Sequence, residues 1–341
     1  MAIIISMKTR LTYLKKMELF KELDLYREGE FYAIIDQKVK NHVPQWIQFS
    51  TKIFWLSNPE EQKNLEDFDR ALQFFLKQGL HRKSKLYAIG GGATTDFAGF
   101  VASSILRGIP WIAIPTTLLA MIDASIGGKV GLNMPQGKNL VGAFHAPQDV
   151  FVCTDFLNTL SAADWLSGKG EMLKYGFLSK EIHNMILKKT SIDDIAAACA
   201  TFKANLVESD FLERDNRILL NLGHTLGHAF EHTLKIPHGQ AVAMGMKHLF
   251  LVMGLDDAHN ELMKMAEALE IPEAHLTIKN HPHFKLETFF AALEQDKKRI
   301  QSKLQLVLVG GPGTCYVQEI GLKEFKTKIE GHHVFSGANL T

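Results

Sequence analysis

The sequence has 341 residues, 46% of them hydrophobic and 22% charged, with a formal net charge of +1. That length exceeds one ordinary compact core and points to two domains. The balanced charge leaves no basic footprint for nucleic acid and no polybasic membrane patch. Three scattered cysteines (Cys153, Cys199, Cys315), with no CxxC pair, signal neither a disulfide framework nor a thiolate zinc site. No run approaches the roughly 18 apolar residues of a membrane span. The opening "MAIIISMKTR" places its apolar run ahead of its charges, the reverse of a secretory signal. A cytoplasmic protein is expected.

In chain order, "FYAIID" (Phe31 to Asp36) and "KIFWLS" (Lys52 to Ser57) read as strands. A helical period follows over Leu65 to Gln78, with Leu65, Phe68, Leu72, Phe75 and Leu76 on one face. "KLYAI" (Lys85 to Ile89) is a strand, then come three glycines, a helix near Asp96 to Leu106 and the strand "PWIAIP" (Pro110 to Pro115). This alternation predicts a parallel sheet covered by helices. Beyond about Leu160 helical periods dominate: Ala162 to Leu178, Ile192 to Val207, Asn216 to Leu234, Ala241 to Met253 and Leu286 to Leu293. Only "LQLVLV" (Leu304 to Val309) reads there as a strand. The expected fold is an α/β domain with a Rossmann-like parallel sheet over residues 1–158, followed by a mainly helical domain over 159–341.

Gly90, Gly91 and Gly92 lie between a strand and a helix, where tight backbone geometry lets a phosphate approach the helix N-terminal amides. The pattern is not GxGxxG, and a packing-driven turn is the plainer alternative. "PTT" (Pro115 to Thr117) ends the next strand at the carboxyl edge, where open α/β sheets bind ligands, so a dinucleotide is expected. "DASIGGKVGLNMPQGKN" (Asp123 to Asn139) then places Asp123, Lys129, Lys138 and Asn139 among turn residues. It reads as a loop whose two lysines clamp a phosphate or carboxylate, or else as a solvated surface loop.

In "NLGHTLGHAFEH" (Asn221 to His232), His224, His228 and His232 recur every four residues on one helix face. His224 and His228 form an HxxxH pair suited to zinc, and His238 and Glu171 offer further nitrogen and oxygen ligands. Spacing alone selects His224, His228 and either Glu171 or His238. It leaves Glu231 and His232 as surface or structural residues.

The segments "GGGATTDFAGF", "RGIPWIAIPTTLLAMIDASIGGKVGLNMPQGKNLVGAF", "SGKGEMLKYG", "RDNRILLNLGHTLGHAFEH", "PHGQAVAMGM" and "DKK" occur in the order seen in 3-dehydroquinate synthases. The chain resembles that family from about Asp36 to Gly313. The resemblance implies a divalent metal, Zn2+ or Co2+, on Glu171, His224 and His238, with His228 facing substrate instead. It implies NAD contacts from Asp36, Glu60, Lys63, Gly91, Gly92, Ala93, Thr94, Thr95, Asp96, Thr116, Thr117, Lys129, Lys138, Phe156, Leu157, Asn158 and Thr159. It implies substrate contacts or catalysis by Asp123, Lys129, Asn139, Lys174, Lys203, Glu213, Arg217, Asn221, His228 and a lysine of the pair Lys297–Lys298. In related enzymes an arginine matching Arg107 reaches the phosphate across a dimer interface, so a homodimer is expected.

The chemistry so implied converts 3-deoxy-D-arabino-heptulosonate 7-phosphate (DAHP) to 3-dehydroquinate. An alcohol is oxidised transiently by NAD, phosphate is eliminated, the ketone is reduced again, and an aldol closure forms the ring. The cofactor sits on the sheet and the metal on the helices, with reaction between them. A metal would act as a Lewis acid, and the Arg217 fork suits the substrate carboxylate. Relatives acting on sedoheptulose 7-phosphate replace the Asn and the second Gly–His of "NLGHTLGH", whereas this chain retains Asn221 and Gly227–His228. Metal-dependent polyol dehydrogenases share the architecture but use other ligands. Two departures stand out: Gln240 where relatives carry Glu, expected to remove a charge near the metal, and Thr95 where many carry Gly.

Overall fold

A computed structural model describes residues 9–25, 30–281, 284–297 and 303–336. The chain divides into two compact units, residues 1–161 with 200–212, and residues 162–199 with 213–341. The division is not the single cut expected near residue 158. The helix Ile192–Ser209 is one continuous element, yet its residues from Ala200 onward belong with the first unit.

The first unit is built on a six-stranded parallel sheet. Its strands are β1 (Arg10–Tyr13), β2 (Phe31–Asp36), β3 (Ile53–Leu56), β4 (Lys85–Gly90), β5 (Trp111–Pro115) and, after a hairpin, β8 (Asp149–Val152). The order is β1-β8-β5-β4-β2-β3. Strands β2, β4, β5 and β8 are buried along nearly their whole length, as continuous apolar runs must be when helices cover both faces. β2 pairs with β3 on one side and β4 on the other, so the winding reverses between β2 and β4. A sheet of this kind opens its ligand crevice at that point, outside the strands' carboxyl ends.

Helix Leu65–Lys77 matches the predicted period; Asn64 caps it by accepting from the Asp67 amide. Helix Gly92–Ser104 begins one turn earlier than the Asp96 start expected, because Gly91 takes the cap position. The segment predicted as a lysine loop is an antiparallel hairpin, β6 (Lys129–Met134) with β7 (Gly137–Phe144). Gly127 and Gly128, at φ +113° and +67°, turn the chain into it, and only glycine takes that pair of conformations cheaply.

The second unit is mainly helical, with β9 (Lys303–Gly311) and β10 (Thr314–Gly321) as an antiparallel pair. Its core gathers Phe230, Met244, Phe289, Leu306, Phe325 and Phe335. The helix predicted over Asn216 to Leu234 is two elements: a 3-10 turn, Asn216–Asn221, and the helix His224–Leu234. Gly223, at φ +77°, separates them. Among the described residues no helix is long and apolar enough to cross a membrane.

Candidate active site

Three helices of the second unit bring Glu171, His224 and His238 together. Glu171 lies in Ala162–Leu178, a helix buried from Ser167 to Leu178 apart from Lys169. His224 and His238 are the first residues of helices His224–Leu234 and His238–Val252. Each ligand has a glycine beside it, and each glycine is a point of close approach. A methyl group on Gly239 would strike the Ser167 carbonyl, one on Gly170 the Gly239 carbonyl, and one on Gly223 the Val242 carbonyl. The Gly239 amide also donates to Ser167 Oγ at 3.1 Å, satisfying an orphan donor of the helix start. Glycine at these seams lets backbones touch, and the adjacent side chains converge as a result.

The Nε2 atoms of His224 and His238 lie 3.5 and 3.3 Å from Glu171 Oε1. Tetrahedral zinc with bonds of about 2.0–2.1 Å would set its ligands about 3.3 Å apart. The outer hydrogen bonds fix which nitrogen faces inward. His224 Nδ1 donates to the Leu222 carbonyl at 3.1 Å, and His238 Nδ1 donates to Glu231 Oε2 at 2.8 Å. Both acceptors lack protons, so in the neutral rings each Nε2 turns a lone pair toward Glu171. Two lone pairs and a carboxylate oxygen at this spacing repel unless a cation sits among them. The donor set therefore fits a divalent metal. Among the described residues this is the grouping that can hold an ion.

The electrostatics carry the same demand. Burial pushes His224 down to about 3 against the pull of Glu171, with Lys174 adding to the fall. Burial also opposes charge on His238, but hydrogen bonds to Glu171 and Glu231 prevail and raise it to about 10. The raised value marks a place between two carboxylates that favours positive charge, as a ring proton or as a cation taking that proton's place. Lys174, itself buried, places Nζ 2.6 Å from Glu171 Oε2, the other oxygen of that carboxylate.

Ring centroids of His228 lie 5.4 Å from His224 and 5.9 Å from His238, yet His228 is exposed and is not one of the grouped ligands. The geometry favours the set with His238 over the HxxxH pair: His224 and His228 share a helix face, but the grouping that forms takes its second imidazole from the start of the next helix. Of the two readings open for Glu231, the structural one fits, since it holds His238 Nδ1 at 2.8 Å. Gln240 does not face the imidazole, because residues two apart on a helix point to different sides. Its amide donates to the His275 carbonyl at 3.2 Å.

Arg217, in the 3-10 turn Asn216–Asn221, is buried at 2% exposure. Glu213 adopts φ +57°, and Asn221 is exposed. The side chain of Lys297 and the whole of Lys298 lie outside the described residues.

In the first unit the expected cofactor residues follow the carboxyl ends of successive strands. Asp36 ends β2 and accepts from the Lys38 amide. Glu60 and Lys63 follow β3, Gly91 to Asp96 follow β4, and Thr116 and Thr117 follow β5. Phe156 to Thr159 follow β8 in the 3-10 turn Thr154–Thr159. Asp36 and Gly91 flank the point where the winding reverses. None of Gly90, Gly91 and Gly92 is left-handed; added methyls would meet Thr94, Thr117 and Ala124 respectively. The glycines are needed for packing, which in turn leaves the helix N-terminus without a side-chain cap. Thr95 turns its hydroxyl onto the Gly92 carbonyl at 3.0 Å, so this departure stays within the helix.

A polar network underlies this edge. Buried Lys63 donates to Asp96 and to Asn139, Asn133 donates to Glu60, and the Asn139 amide donates to Asn133. Burial raises the Asp96 carboxyl and Lys63 counters it. Lys129 and Lys138 occupy opposite ends of the hairpin, about 15 Å apart at strand rise. Lys138 Nζ lies 3.9 Å from Glu60. Asp123 sits in a π-helical turn, Ala120–Ala124, a rare geometry that often marks functional sites. Lys203 donates both to its side chain and, at 2.6 Å, to its carbonyl. Arg107 is exposed on a turn where Leu106, Arg107 and Gly108 all have positive φ, at +52°, +72° and +105°.

Residues 53–167 match the description "3-dehydroquinate synthase N-terminal" and residues 168–299 match "3-dehydroquinate synthase C-terminal". The chain is 39% identical over 277 residues to a 3-dehydroquinate synthase of Syntrophotalea carbinolica, covering 76% of this chain and 75% of that one. It is 36% identical over 339 residues to that of Staphylococcus carnosus, covering 91% and 92%. Among solved structures, 2-epi-5-epi-valiolone synthase from Streptomyces hygroscopicus subsp. jinggangensis, with NAD+ and Zn2+ bound, superposes with a TM-score of 0.79. It is 22% identical, and the match covers 94% of this chain and 95% of that chain.

Proposed function

Because the chain belongs to the 3-dehydroquinate synthase family, we propose specific roles for its own residues in converting DAHP to 3-dehydroquinate and phosphate. The enzyme is a lyase of the shikimate pathway. When bound, NAD+ supplies reversible hydride transfer and the divalent metal supplies Lewis acidity at the hydroxyl being oxidised. Glu171, His224 and His238 hold the metal; the observation that carries this is the 3.3 and 3.5 Å spacing of their inward-facing donor atoms. The relative from Streptomyces hygroscopicus, with NAD+ and Zn2+ bound, supports the same pairing of cofactors.

The residues that follow β2, β3, β4, β5 and β8 hold NAD+, with its phosphates at the uncapped N-terminus of Gly92–Ser104, where the helix dipole favours anions. Lys138 serves the cofactor, and Lys129 serves both cofactor and substrate. Lys63 opposes the upward pull of burial on Asp96 and ties it to Asn139. Lys203 fixes the Asp123 carboxylate, which orients a substrate hydroxyl or relays its proton. Lys174 stabilises negative charge next to Glu171. The buried guanidinium of Arg217 binds the substrate carboxylate bidentately, a contact that a sugar phosphate without that carboxylate cannot make. Glu213, Asn221, His228 and the lysine pair at 297–298 contact substrate.

The reading includes a cytoplasmic homodimer in which Arg107 serves the neighbouring protomer's phosphate. Its strained, exposed turn supports that role, since such backbone is retained where function demands it. The test is to incubate the purified protein with zinc, NAD+ and DAHP. Phosphate and 3-dehydroquinate are expected. Phosphate released from sedoheptulose 7-phosphate, with none from DAHP, would overturn the reading.

A further inference from the structure

We propose that Glu231 is a positioning residue of the metal centre, holding His238 so that its Nε2 meets the cation. The inference rests on the metal-binding part of the proposed function. Glu231 lies seven residues after His224 on the helix His224–Leu234, which returns it to within about 20° of the same face. One helix face thus supplies a ligand at its start and, two turns later, the carboxylate that orients the other imidazole. Glu231 Oε2 accepts Nδ1–H of His238 at 2.8 Å while Nε2 lies 3.3 Å from Glu171 Oε1.

A carboxylate acceptor has two effects, the second of which a neutral carbonyl lacks. It permits only the tautomer with Nδ1 protonated, and it makes the opposite nitrogen more basic toward a cation. His224 lacks this second effect, because its Nδ1 donates to the backbone carbonyl of Leu222. The two imidazoles are therefore unequal ligands, and His238 is the stronger. The Gln240 amide is engaged instead with His275. Glu231 supplies the outer carboxylate to that imidazole.

The zinc-loaded, full-length chain and its Glu231→Gln variant are challenged with graded amounts of a chromogenic chelator, and zinc transfer is read directly. Zinc affinity is expected to fall about 10–100-fold in the variant. Glu231→Asp, which keeps the charge but shortens the reach, is expected to fall between the two. NAD+ affinity, measured separately, is expected to be unchanged. A second readout uses the native protein alone: histidine-labelled nitrogen NMR of the zinc form should show His238 protonated at Nδ1. Equal zinc retention by native and Glu231→Gln protein, or His238 protonated at Nε2, overturns the inference. Either failure is distinct from failure of the proposed function, which is judged by phosphate release from DAHP by the native chain.

Discussion

Replacing His224 or His228 by alanine separates two arrangements that share one helix face. His224 is partly buried, with Nε2 3.5 Å from Glu171 Oε1 and Nδ1 anchored on the Leu222 carbonyl, so it is both pointed and held. His228 is exposed and outside the ligand group. Zinc sites with four ligands bind with about 10–16 kcal/mol, or about 3 kcal/mol per ligand. Losing one of three protein ligands should thus weaken zinc by about 100-fold or more. His228→Ala should change it by less than about threefold while turnover falls, because the role proposed for that residue is contact with substrate and not with metal. The assay is zinc transfer to a chelator from each loaded variant, alongside phosphate release at saturating zinc. Equal loss of zinc from the two variants would refute the assignment and restore HxxxH as the metal pair.

Lys63→Met removes the buried cation that counters burial of Asp96 and holds Asn139. Stability should drop by about 2–3 kcal/mol, less than for a wholly buried pair because Asp96 is 22% exposed, and calorimetric NAD+ affinity should fall with it. Gly239→Ala drives a methyl into the Ser167 carbonyl and forces two helices apart at the metal centre. A cost of about 1–3 kcal/mol in the urea midpoint and reduced zinc content by metal analysis are expected. His248 is fully buried between Phe230 and Phe335, and burial lowers it to about 3, so the unfolded chain takes up a proton there first. Its contribution to stability is present above about pH 6.5 and is lost as pH falls, at about 1.4 kcal/mol per unit. His248→Phe should flatten the acid side of the urea-midpoint profile by one proton's worth, and an unchanged slope would contradict this.

Four strands of the parallel sheet, β2 to β5, were legible because they are short, apolar and separated by helical periods, whereas β1 and β8 were not read; "FYAIID" and Leu65–Lys77 needed no tertiary information. The hairpin of β6 and β7 was not, since its glycines and lysines imitate a loop and β7 alternates only between partial and full exposure. β10 was missed for the same reason: most of its residues are exposed, so no period-2 pattern marks it. The metal centre was half legible. Fourfold histidine spacing places side chains on one helix face, but it cannot show that a different helix starts at His238 close enough to displace His228. The glycines next to Glu171, His224 and His238 were the available signal, because small residues beside candidate ligands mark helix crossings. Glu231 could likewise have been found from its return to the His224 face after two turns. The Lys203–Asp123 pair joins residues far apart in sequence, and no local pattern points to it.

The most direct measurement follows NADH absorbance and free phosphate together while the zinc-loaded protein turns over DAHP with limiting NAD+. Phosphate in many-fold excess over NAD+, with no net NADH at completion, is the expected result, because oxidation and reduction occur within one cycle. NADH accumulating in step with substrate consumed, without phosphate, would show a polyol-type dehydrogenase instead and contradict the account.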